Sequence, residues 1–448
     1  MYFIYSLLLA LGFLILLPRF LFDALNHGKY VAGFRERLGI LTPAQTGGRP
    51  VIWIHCVSVG ETLAARPLVK GLKQRFPDYS LAVSTTTLTG QNIARDIFKE
   101  DVARIFYFPF DWRWIVRRTL NAINPAAVLM METELWPGFL RECESRRIPV
   151  AIVNGRLSEK SFRRYRMIRG FMSRVLSSFS RAFMQTEADG KRLVALGLDP
   201  AKLFVTGNIK FDADGPTSTC EELTAEFRNR FKFDENSLLI VAASTHAPEE
   251  QILLDALKRM SRTSARKPRL LIAPRHPERF GEVAEQIQRS GFRMTRRTDA
   301  PNPGDGLSEV ILLDSIGELA AVYSLASVVF VGGSIAKTGG HNILEPAAVG
   351  AAVITGANTF NFKQIVETFV KANAVVQLPP LFGSDAAIEL ATVIERLLAH
   401  PEEAAKLGRR ALKLVNQNRG ATERTLDGLT TILGSFSNAG SAKAKSTS

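Results

Sequence analysis

The sequence predicts an α/β protein with two Rossmann-like domains that face a cleft. Its 448 residues exceed what one hydrophobic core usually organises, so two domains of roughly 200 residues are expected. Short apolar runs alternate with amphipathic stretches on both sides of one interruption, and this alternation is typical of βαβ units with parallel strands. The interruption, residues 207–218, is rich in Gly, Asp, Pro, Thr and Ser and predicts a linker.

The first series of alternating elements begins at residue 51. Apolar runs predict strands at 51–55, 80–84, 126–131, 149–153, 182–185 and 203–206. Amphipathic patterns predict helices at 61–75, 89–98, 112–121 and 187–196. Ligands bind at the carboxyl ends of the strands in sheets of this kind, so the side chains that follow the strands are candidate functional residues.

The second series predicts another parallel sheet. Its strands are expected at 238–243, 269–273, 310–313, 328–331, 352–355 and 374–377. The predicted divisions are a membrane anchor at 1–24, a first domain at 25–207, a linker at 208–218, a second domain at 219–405, helices that return to the first domain at 406–435, and a tail at 436–448. The composition of that tail predicts disorder.

The first 18 residues carry no charged side chain and are mostly Leu, Ile, Phe and Tyr. A helix of that length spans about 27 Å, just under the ~30 Å hydrocarbon core of a bilayer. A cleaved signal peptide is the weaker alternative, because the run lacks a basic n-region and a clear A-x-A site. Lys29, Arg35 and Arg37 follow, so the positive-inside rule predicts a cytoplasmic globular part. We expect an anchor that either spans the membrane or lies in its interface.

The bulk composition narrows the choice of partners. The chain has 57 Lys and Arg residues against 43 Asp and Glu, a net charge of +14, which favours a nucleic acid, an acidic membrane surface or a phosphorylated substrate. Three cysteines without a C-x-x-C pair argue against a disulfide framework and a cysteine zinc site. Six histidines without H-E-x-x-H or H-x-H give little support to a tightly bound catalytic metal.

Two acidic motifs follow strands of the first series. In HCVSVGE, Glu61 is expected at a helix N-terminus, where a carboxylate that complements the helix dipole is the alternative to a substrate-facing one. In METELWP, two acids follow a buried run, and buried charges are costly unless they are paired or functional. A loop in which Glu134 caps a helix near Pro137 explains one acid, but explains Glu132 less well.

Two basic positions are candidates for binding a phosphate. Lys210, in GNIKFD at the expected hinge, either neutralises a phosphate or faces water. Arg275, in APRHPER after a strand of the second series, suits bidentate recognition of a phosphate or carboxylate. A basic helix start beside Glu278 is a poor alternative for Arg275, because positive charge is unfavourable near a helix N-terminus.

The most informative run is GGSIAKTGGHNILEP, at residues 332–346. Its four glycines after an apolar strand let backbone N–H groups approach an anion, and a helix N-terminus follows. Asn342 and Glu345 share a helix face, although a capping box explains them without a ligand. The run matches neither the P-loop nor the G-x-G-x-x-G pattern. Glycines beside a phosphate, with a carboxylate on a ribose, are typical of sugar-nucleotide transferases.

A basic stretch occupies residues 156–192, with ten Lys and Arg residues against three acids. The basic residues are Arg156, Lys160, Arg163, Arg164, Arg166, Arg169, Arg174, Arg181, Lys191 and Arg192. An anchored protein gains about 1 kcal/mol for each basic residue held at an anionic leaflet, so a membrane-facing surface stands beside a solvated helix face as an interpretation. Nucleic acid is not expected as a partner, because no recognised reader motif accompanies the charge.

Taken together, these motifs resemble those of the bacterial lipid A Kdo transferases, where Kdo is 3-deoxy-D-manno-octulosonic acid. The matching pieces, in chain order, are HCVSVGE, METELWP, NGRLS, TGNIKFD, STHAPEE, APRHPER and GGSIAKTGGHNILEPAA. Because these seven ordered motifs extend over nearly the whole chain, the match is more specific than any single glycine-rich loop.

The resemblance implies a GT-B glycosyltransferase architecture, CMP-Kdo as the donor, and a disaccharide lipid A precursor (lipid IVA) as the acceptor. By the family pattern, Glu61 is the general base, and Glu132 and Lys210 match positions that stabilise the transition state. The CMP-binding positions are matched by Arg275, His276, Ile316, Gly317, Glu318, Asn342, Ile343, Leu344 and Glu345.

We therefore expect an inverting transferase that needs no metal or other cofactor, at the cytoplasmic face of the inner membrane. One alternative is a lipid-linked GT-B transferase that uses a UDP-sugar. Another is a membrane-tethered binding protein on the same scaffold, which predicts nucleotide binding without turnover.

Overall fold

The protein is described by a computed structural model that covers residues 5–7, 9–15, 33–42, 46–212, 218–263, 266–381 and 383–444. Two compact units are present: Met1–Asp212 with Asn418–Ser448, and Ala213–Gln417. Each contains one seven-stranded sheet in which all paired strands are parallel. The prediction of two α/β domains with parallel sheets is confirmed.

The first sheet has the strand order β3-β2-β1-β4-β5-β6-β7. Its strands are β1 Val51–Cys56, β2 Ser80–Thr85, β3 Arg104–Tyr107, β4 Pro125–Met131, β5 Val150–Gly155, β6 Arg181–Met184 and β7 Leu203–Val205. The chain order reverses between β1 and β4, which pair directly. In an open parallel sheet, the crevice beyond the carboxyl ends at such a point is where ligands bind.

The helices of the first unit include residues 5–7 and 9–15, and a last helix that follows the second unit in the chain. The others with printed bounds are Phe34–Arg37, Val59–Ala64, Arg66–Arg75, Leu88–Phe98, Arg113–Ile123, Pro137–Ser145, Glu159–Arg166, Arg169–Ser177, Glu187–Ala195 and Ala421–Ala444, with 3-10 turns at Pro200–Lys202 and Ile209–Asp212. The helix predicted at 61–75 is divided in two, because Pro67 has no N–H group to continue the first helix and fits the first turn of the second.

Side chains bury both faces of the first sheet. Trp53 packs with Phe106 and Phe139 on one face, and Ile54 packs with residues of the flanking helices on the other. Strands covered on both faces consist of nearly continuous apolar residues, which explains why the pattern located most of them.

The second sheet has the strand order β10-β11-β9-β8-β12-β13-β14. Its strands are β8 Leu239–Thr245, β9 Arg269–Pro274, β10 Met294–Arg296, β11 Val310–Leu312, β12 Val328–Val331, β13 Val353–Thr355 and β14 Val376–Gln377. The helices of this unit are Ser218–Phe231, Glu249–Thr263, Phe280–Arg289, Leu319–Val322, Leu344–Ala348, Lys363–Lys371, Gly383–Ala399 and Pro401–Asn418, with 3-10 turns at Pro277–Arg279, Pro303–Leu307 and Tyr323–Leu325. The order reverses between the paired strands β8 and β12.

The sequence pattern missed one strand in each sheet, β3 and β10. Both are edge or near-edge strands of three or four residues that contain arginine. An edge strand needs only one hydrogen-bonded neighbour and little buried surface, so it leaves no long apolar run in the sequence.

The last helix, Ala421–Ala444, packs on the first unit through Leu426, Leu429 and Leu433. It continues through most of the segment whose composition predicted disorder. At the other end of the chain, no helix among the described residues is long and apolar enough to cross a membrane. Residues 1–4, 8 and 16–24 of the predicted anchor lie outside the described residues.

Asp212 caps this last helix. Its carboxylate accepts the backbone N–H groups of Gly420 at 2.6 Å and Thr422 at 2.5 Å. We expect Asp212→Ala to lower the free energy of unfolding by about 1–2 kcal/mol, because two N–H groups at the helix start lose their acceptor.

Equilibrium denaturation would measure this effect. Asp427→Ala is the matched control, since Asp427 lies on the same helix in an exposed ion pair with Arg75 and should change stability by less than about 0.5 kcal/mol. Equal effects of the two substitutions would contradict the capping role of Asp212.

Candidate active site

Glu61 lies beyond the carboxyl end of β1, in the first turn of the helix Val59–Ala64. Val57 donates its N–H to the Glu61 carboxylate at 2.8 Å, and the Ser58 hydroxyl donates to its other oxygen at 3.0 Å. The Ser58 oxygen accepts the N–H of Glu61 in return. Ser58 is therefore the N-cap, and the Glu61 carboxylate lies in the first turn of the helix, where the dipole interpretation placed it. Its side chain is nearly buried, with 6% of the residue surface exposed.

Glu132 lies beside the same point, directly after β4. Its backbone has the left-handed φ of 54°, which is unfavourable for a residue with a Cβ, and its N–H bonds to the Val153 carbonyl at 2.8 Å. The Glu132 carboxylate is 2.7 Å from Arg156 Nε and 3.5 Å from Lys210 Nζ. The structure thus brings together Glu132 and Lys210, two of the predicted residues.

The negative charges at this edge influence one another. Burial, together with the charges of Glu132 and Glu134, raises the pKa of Glu61 to about 7, against the hydrogen bonds from Val57 and Ser58, which lower it. Burial and Glu132 likewise raise the pKa of Glu134 to about 7. A carboxylate with a pKa near neutral pH can hold a proton taken from a substrate hydroxyl and release it again.

The alternative interpretation, in which Glu134 caps the helix near Pro137, is wrong. The helix Pro137–Ser145 has no side-chain cap from the residues just before it. The buried carboxylate of Asp111 takes that role, accepting the N–H groups of Gly138 at 2.8 Å and Phe139 at 2.5 Å. Glu134 is therefore not needed to cap the helix, and its charge acts on Glu61 instead.

Lys210 is held in place by residues that the sequence did not single out for this role. It lies in the 3-10 turn Ile209–Asp212, and its N–H donates to the Asn208 side chain at 3.0 Å. The buried Asn154, at the end of β5, accepts the N–H of Ile209 at 3.0 Å. The NGRLS motif, which contains Asn154 and Arg156, thus positions Lys210 and pairs with Glu132.

In the second unit, Arg275 and His276 follow β9. Arg275 is exposed, and its N–H bonds to the carbonyl of Thr245, at the end of the neighbouring β8, at 3.0 Å. The Arg275 charge helps to lower the pKa of His341, which follows β12. Arg275 is therefore close to the glycine-rich run, as a shared nucleotide site requires.

The predicted residues 342–345 are held by local bonds. Asn342 donates its side-chain N–H to the Glu345 carboxylate at 3.1 Å and accepts the Leu344 N–H at 3.1 Å. The side chains of Ile343 and Leu344 are buried. A ligand would therefore meet these two residues through their backbone groups.

The predicted residues 316–318 follow β11, which pairs with β9. The Glu318 carboxylate binds Arg297 at 2.8 and 2.9 Å and the Ser315 hydroxyl at 2.5 Å. Ile316 is 80% exposed, and Gly317 has a φ of 90°. These contacts engage the carboxylate of Glu318, so we expect the loop to meet a nucleotide through Ile316 and the backbone.

The expectation that the start of the glycine-rich run receives a ligand anion is wrong. The carboxylate of Glu249, fully buried, accepts the N–H groups of Gly333, Ser334, Ile335 and Ala336 at 2.7–3.1 Å. Because β8 and β12 are neighbours, the STHAPEE motif supplies the anion from within the protein. Burial raises the pKa of Glu249, against these N–H donors, which lower it.

Two further histidines, His246 and His341, were not singled out from the sequence. They follow the neighbouring strands β8 and β12, and their Nε2 atoms are 2.8 Å apart. The ring of His276 lies edge-on to that of His246, with 5.0 Å between centroids. The H-x-P-E motif, which also contains Glu249, was the sequence signal that could have identified His246. Only the strand order places this motif beside the glycine-rich run.

Comparison with known proteins identifies the class. Residues 32–213 match the family model described as 3-deoxy-D-manno-octulosonic-acid transferase (kdotransferase). Two similar relatives are the 3-deoxy-D-manno-octulosonic acid transferases of Haemophilus influenzae, 36% identical over 89% of this chain and 91% of the relative, and of Bordetella pertussis, 33% identical over 89% and 90%. The UDP-GlcNAc 2-epimerase of Neisseria meningitidis, solved with UDP-GlcNAc, has a similar fold, with a TM-score of 0.54 and 16% identity over 85% of this chain and all of that one.

The two parallel-sheet units and these relatives define an enzyme of the glycosyltransferase class with a GT-B-like fold. More narrowly, the chain belongs to the family of the 3-deoxy-D-manno-octulosonic acid (Kdo) transferases.

We expect the rate of Kdo transfer to rise with pH through about 7, because only the ionised Glu61 can accept a proton and its pKa lies there. Glu134→Gln removes a negative charge that raises the pKa of Glu61. The acid limb of the kcat/KM profile should therefore move to lower pH in this variant. Glu100→Gln, at an exposed position, is the control, and an unmoved limb in Glu134→Gln would contradict the coupling.

Proposed function

We propose that this protein transfers Kdo from CMP-Kdo to lipid IVA, a lipid A precursor, with inversion at the anomeric carbon. Membership of the Kdo transferase family supports the transferred sugar. The observation that carries the proposed chemistry is the nearly buried Glu61, with a pKa of about 7, beside the Glu132–Lys210 pair.

The nucleophile in this reaction is a sugar hydroxyl of the acceptor, which is weak until it loses its proton. Glu61 takes that proton as the oxygen attacks the anomeric carbon of Kdo, and a positioned base of this kind contributes about 10²–10⁴-fold. The hydrogen bonds from Val57 and Ser58 fix the orientation of the carboxylate without preventing protonation. Lys210 and Arg156 balance the charge of Glu132 nearby.

The leaving group is CMP, whose phosphate gains negative charge as the bond to Kdo breaks. In the second unit, the exposed guanidinium of Arg275 suits a phosphate because its planar N–H groups can donate to two oxygens. His276 and the backbone of residues 342–345 are proposed to complete the nucleotide contacts. Arg275 would stabilise this developing charge, and the proposed reaction uses no metal.

The unequal roles of the two predicted carboxylates support the proposed inversion. A retaining, double-displacement route needs a second carboxylate that attacks the sugar. Glu132 is held by Arg156 at 2.7 Å and Lys210 at 3.5 Å, which stabilises its charge but lowers its availability as a nucleophile. One general base and one direct displacement step are sufficient for an inverting transfer.

A lipid acceptor requires the enzyme to work at a membrane, and we place it at the cytoplasmic face of the inner membrane. In the N-terminal helical residues, the Tyr5 hydroxyl donates to Asp111 at 2.7 Å, and Phe13 packs on Phe110 and Trp112. Leu7, Leu11 and Leu14 are four and three positions apart, and they lie on the exposed face opposite Tyr5 and Phe13. The exposed apolar residues are Leu7, Leu11, Leu14 and Ile15, with Trp114, Met167 and Ile168 on neighbouring helices and turns.

Basic side chains accompany these apolar residues. Lys160, Arg163, Arg164, Arg166, Arg169 and Arg174 of the basic stretch are exposed. Arg156 does not belong with them, because it pairs with Glu132. An exposed apolar face beside basic residues suits the headgroup region of an anionic leaflet. The proposal is therefore interfacial binding that raises the local concentration of the lipid acceptor.

The reaction is tested with CMP-Kdo generated in situ and a tetra-acylated lipid A precursor. Wild type should release CMP and form Kdo-modified lipid, whereas Glu61→Gln should lose at least ~10²-fold in kcat because no base remains. Glu100→Gln, a substitution of the same kind at an exposed position of the first unit, should retain wild-type activity. Transfer by Glu61→Gln at the wild-type rate would exclude Glu61 as the base.

Nucleotide protection separates the proposal from a UDP-sugar transferase. CMP should raise the melting temperature at concentrations where UMP does not. Protection by UMP alone would favour the UDP-sugar alternative, and protection by CMP without turnover would favour a binding protein.

Membrane binding is tested with Leu11→Glu/Leu14→Glu. Sedimentation with vesicles that contain anionic phospholipid should show at least ~10-fold weaker binding, because each buried leucine side chain contributes about 1.5–3 kcal/mol. Leu307→Glu, at a residue 66% exposed in the second unit, is the matched control. Unchanged sedimentation of the double variant would reject the proposed apolar face.

A further inference from the structure

The N-terminal helical residues contact a segment that runs along the carboxyl edge of the first sheet. This segment, residues 108–112, follows β3, and we call it the crossing segment. Tyr5 donates its hydroxyl to the Asp111 carboxylate at 2.7 Å, and Phe13 packs on the aromatic residues that flank Asp111. Three successive residues of the crossing segment thus contact one helix.

The crossing segment passes the ends of several strands. The N–H of Phe108 bonds to the carbonyl of Thr85, at the end of β2, at 2.9 Å. Its ring stacks on that of His55 in β1, with 3.8 Å between centroids, and lies 5.4 Å from the ring of Trp136. Trp136 belongs to the METELWP loop after β4. The segment therefore runs from β3 past β2 and β1 to this loop, along the edge that carries Glu61.

Asp111 joins the crossing segment to the helix Pro137–Ser145. Its carboxylate is buried and accepts the N–H groups of Gly138 at 2.8 Å and Phe139 at 2.5 Å. A Cβ at Gly138 would lie 2.6 Å from the Asp111 carbonyl oxygen, so glycine is required for this close approach. The Tyr5 hydroxyl is the third donor and shares one carboxylate oxygen with the Gly138 N–H. The carboxylate thus connects the N-terminal helical residues to the helix that follows the METELWP loop.

The hydroxyl of Tyr5 keeps Asp111 a strong acceptor. Burial raises the pKa of Asp111 to about 6, against the hydrogen bonds from Tyr5, Gly138 and Phe139, which lower it. Without the hydroxyl the pKa of Asp111 rises, so a larger fraction of this carboxyl group is protonated near neutral pH. A neutral carboxyl group accepts hydrogen bonds more weakly than a carboxylate, and the start of the helix loses part of its cap.

The METELWP loop connects this helix start to the proposed base. Residues 132–136 are the whole connection between β4 and the helix. The charged groups that act on Glu61 are Glu132 and Glu134, and both raise its pKa. Because the loop is short, movement of the helix start changes the distance between Glu134 and Glu61. Tyr5 therefore acts on Glu61 through Asp111 and this loop.

We propose that Tyr5 is a positioning residue for Kdo transfer: through Asp111 it holds the helix start after the METELWP loop, and with it Glu134 beside Glu61. This inference rests on the proposed function, in which Glu61 is the base. The helical residues that include Tyr5 also expose the apolar face proposed to meet the membrane. Attachment to a lipid surface and the geometry of the site are thus linked through one hydroxyl group.

Tyr5→Phe removes only this hydroxyl and tests the link directly. Tyr79→Phe is the matched control, because Tyr79 donates its hydroxyl to the Leu433 carbonyl at 2.8 Å and directly precedes β2, at the opposite edge of the sheet. Amide hydrogen exchange is measured on the full-length protein in detergent. Exchange at Gly138 and Phe139 should be ~10-fold faster in Tyr5→Phe, as for a weakened hydrogen bond to a charged group, and unchanged in Tyr79→Phe.

The transfer assay with the tetra-acylated acceptor measures the effect on catalysis. Tyr5→Phe should lower kcat ~10-fold, because a small misplacement of the catalytic groups is costly. The acid limb of the kcat/KM profile should move to lower pH, since Glu134 then raises the pKa of Glu61 less. Tyr5→Phe combined with Glu134→Gln should move the limb no further than Glu134→Gln alone, because both changes act through the same charge. Sedimentation with anionic vesicles should match that of wild type.

The outcomes separate this role from membrane attachment and from the reaction itself. Exchange and kinetics of Tyr5→Phe that match those of Tyr79→Phe would overturn the proposal. Faster exchange with an unchanged kcat and an unmoved acid limb would overturn it as well, as would a loss of kcat that parallels a loss of vesicle binding. If wild type transfers no Kdo, the proposed reaction is rejected, and faster exchange in Tyr5→Phe alone would still support the link to the helix start.

Discussion

The site depends on one constraint: in a fully parallel sheet every strand ends at the same edge. Because β1 and β4 are neighbours and their following connections lead to opposite sides of the sheet, Glu61 and Glu132 come together although 71 positions separate them in the numbering. The same arrangement brings His246 and His341 together beyond β8 and β12. Residues with left-handed backbone, Glu132, Asn154 and Ser244, lie at the carboxyl ends of β4, β5 and β8. Backbone strain of this kind is common at functional sites.

Two buried glutamates, Glu249 and Glu61, differ in how well their surroundings compensate the charge of the carboxylate. Glu249 is surrounded by five backbone N–H donors and joins two strand ends of the second sheet. Glu61 receives one backbone N–H and one hydroxyl, and it lies beside two other carboxylates. The first arrangement gives the Glu249 carboxylate five hydrogen-bond donors. The second leaves the charge poorly compensated, so the carboxyl group can bind a proton near neutral pH, at a cost to the stability of the folded state.

Much of the fold was predictable because strands buried on both faces leave uninterrupted apolar runs. The runs located twelve of the fourteen strands, and only the short β3 and β10 escaped. The motifs also pointed to Glu61, Glu132, Lys210 and Arg275 as chemically active residues. The hydrogen-bond and ion-pair partners of the site residues were harder to predict than the residues themselves. The pairing of Glu132 with Arg156, the role of Asp111 as a helix cap, and the occupation of the glycine-rich run by Glu249 all join distant segments.

The sequence by itself determined the class of fold, the motifs that identify the family, and the residue types from which the site is built. These properties are local, since apolar periodicity and short motifs can be read within one segment of chain. Only the tertiary structure decided which charges neutralise one another and which carboxyl groups have a raised pKa. Both depend on burial and on distances of about 3 Å between side chains, and strand order sets those distances.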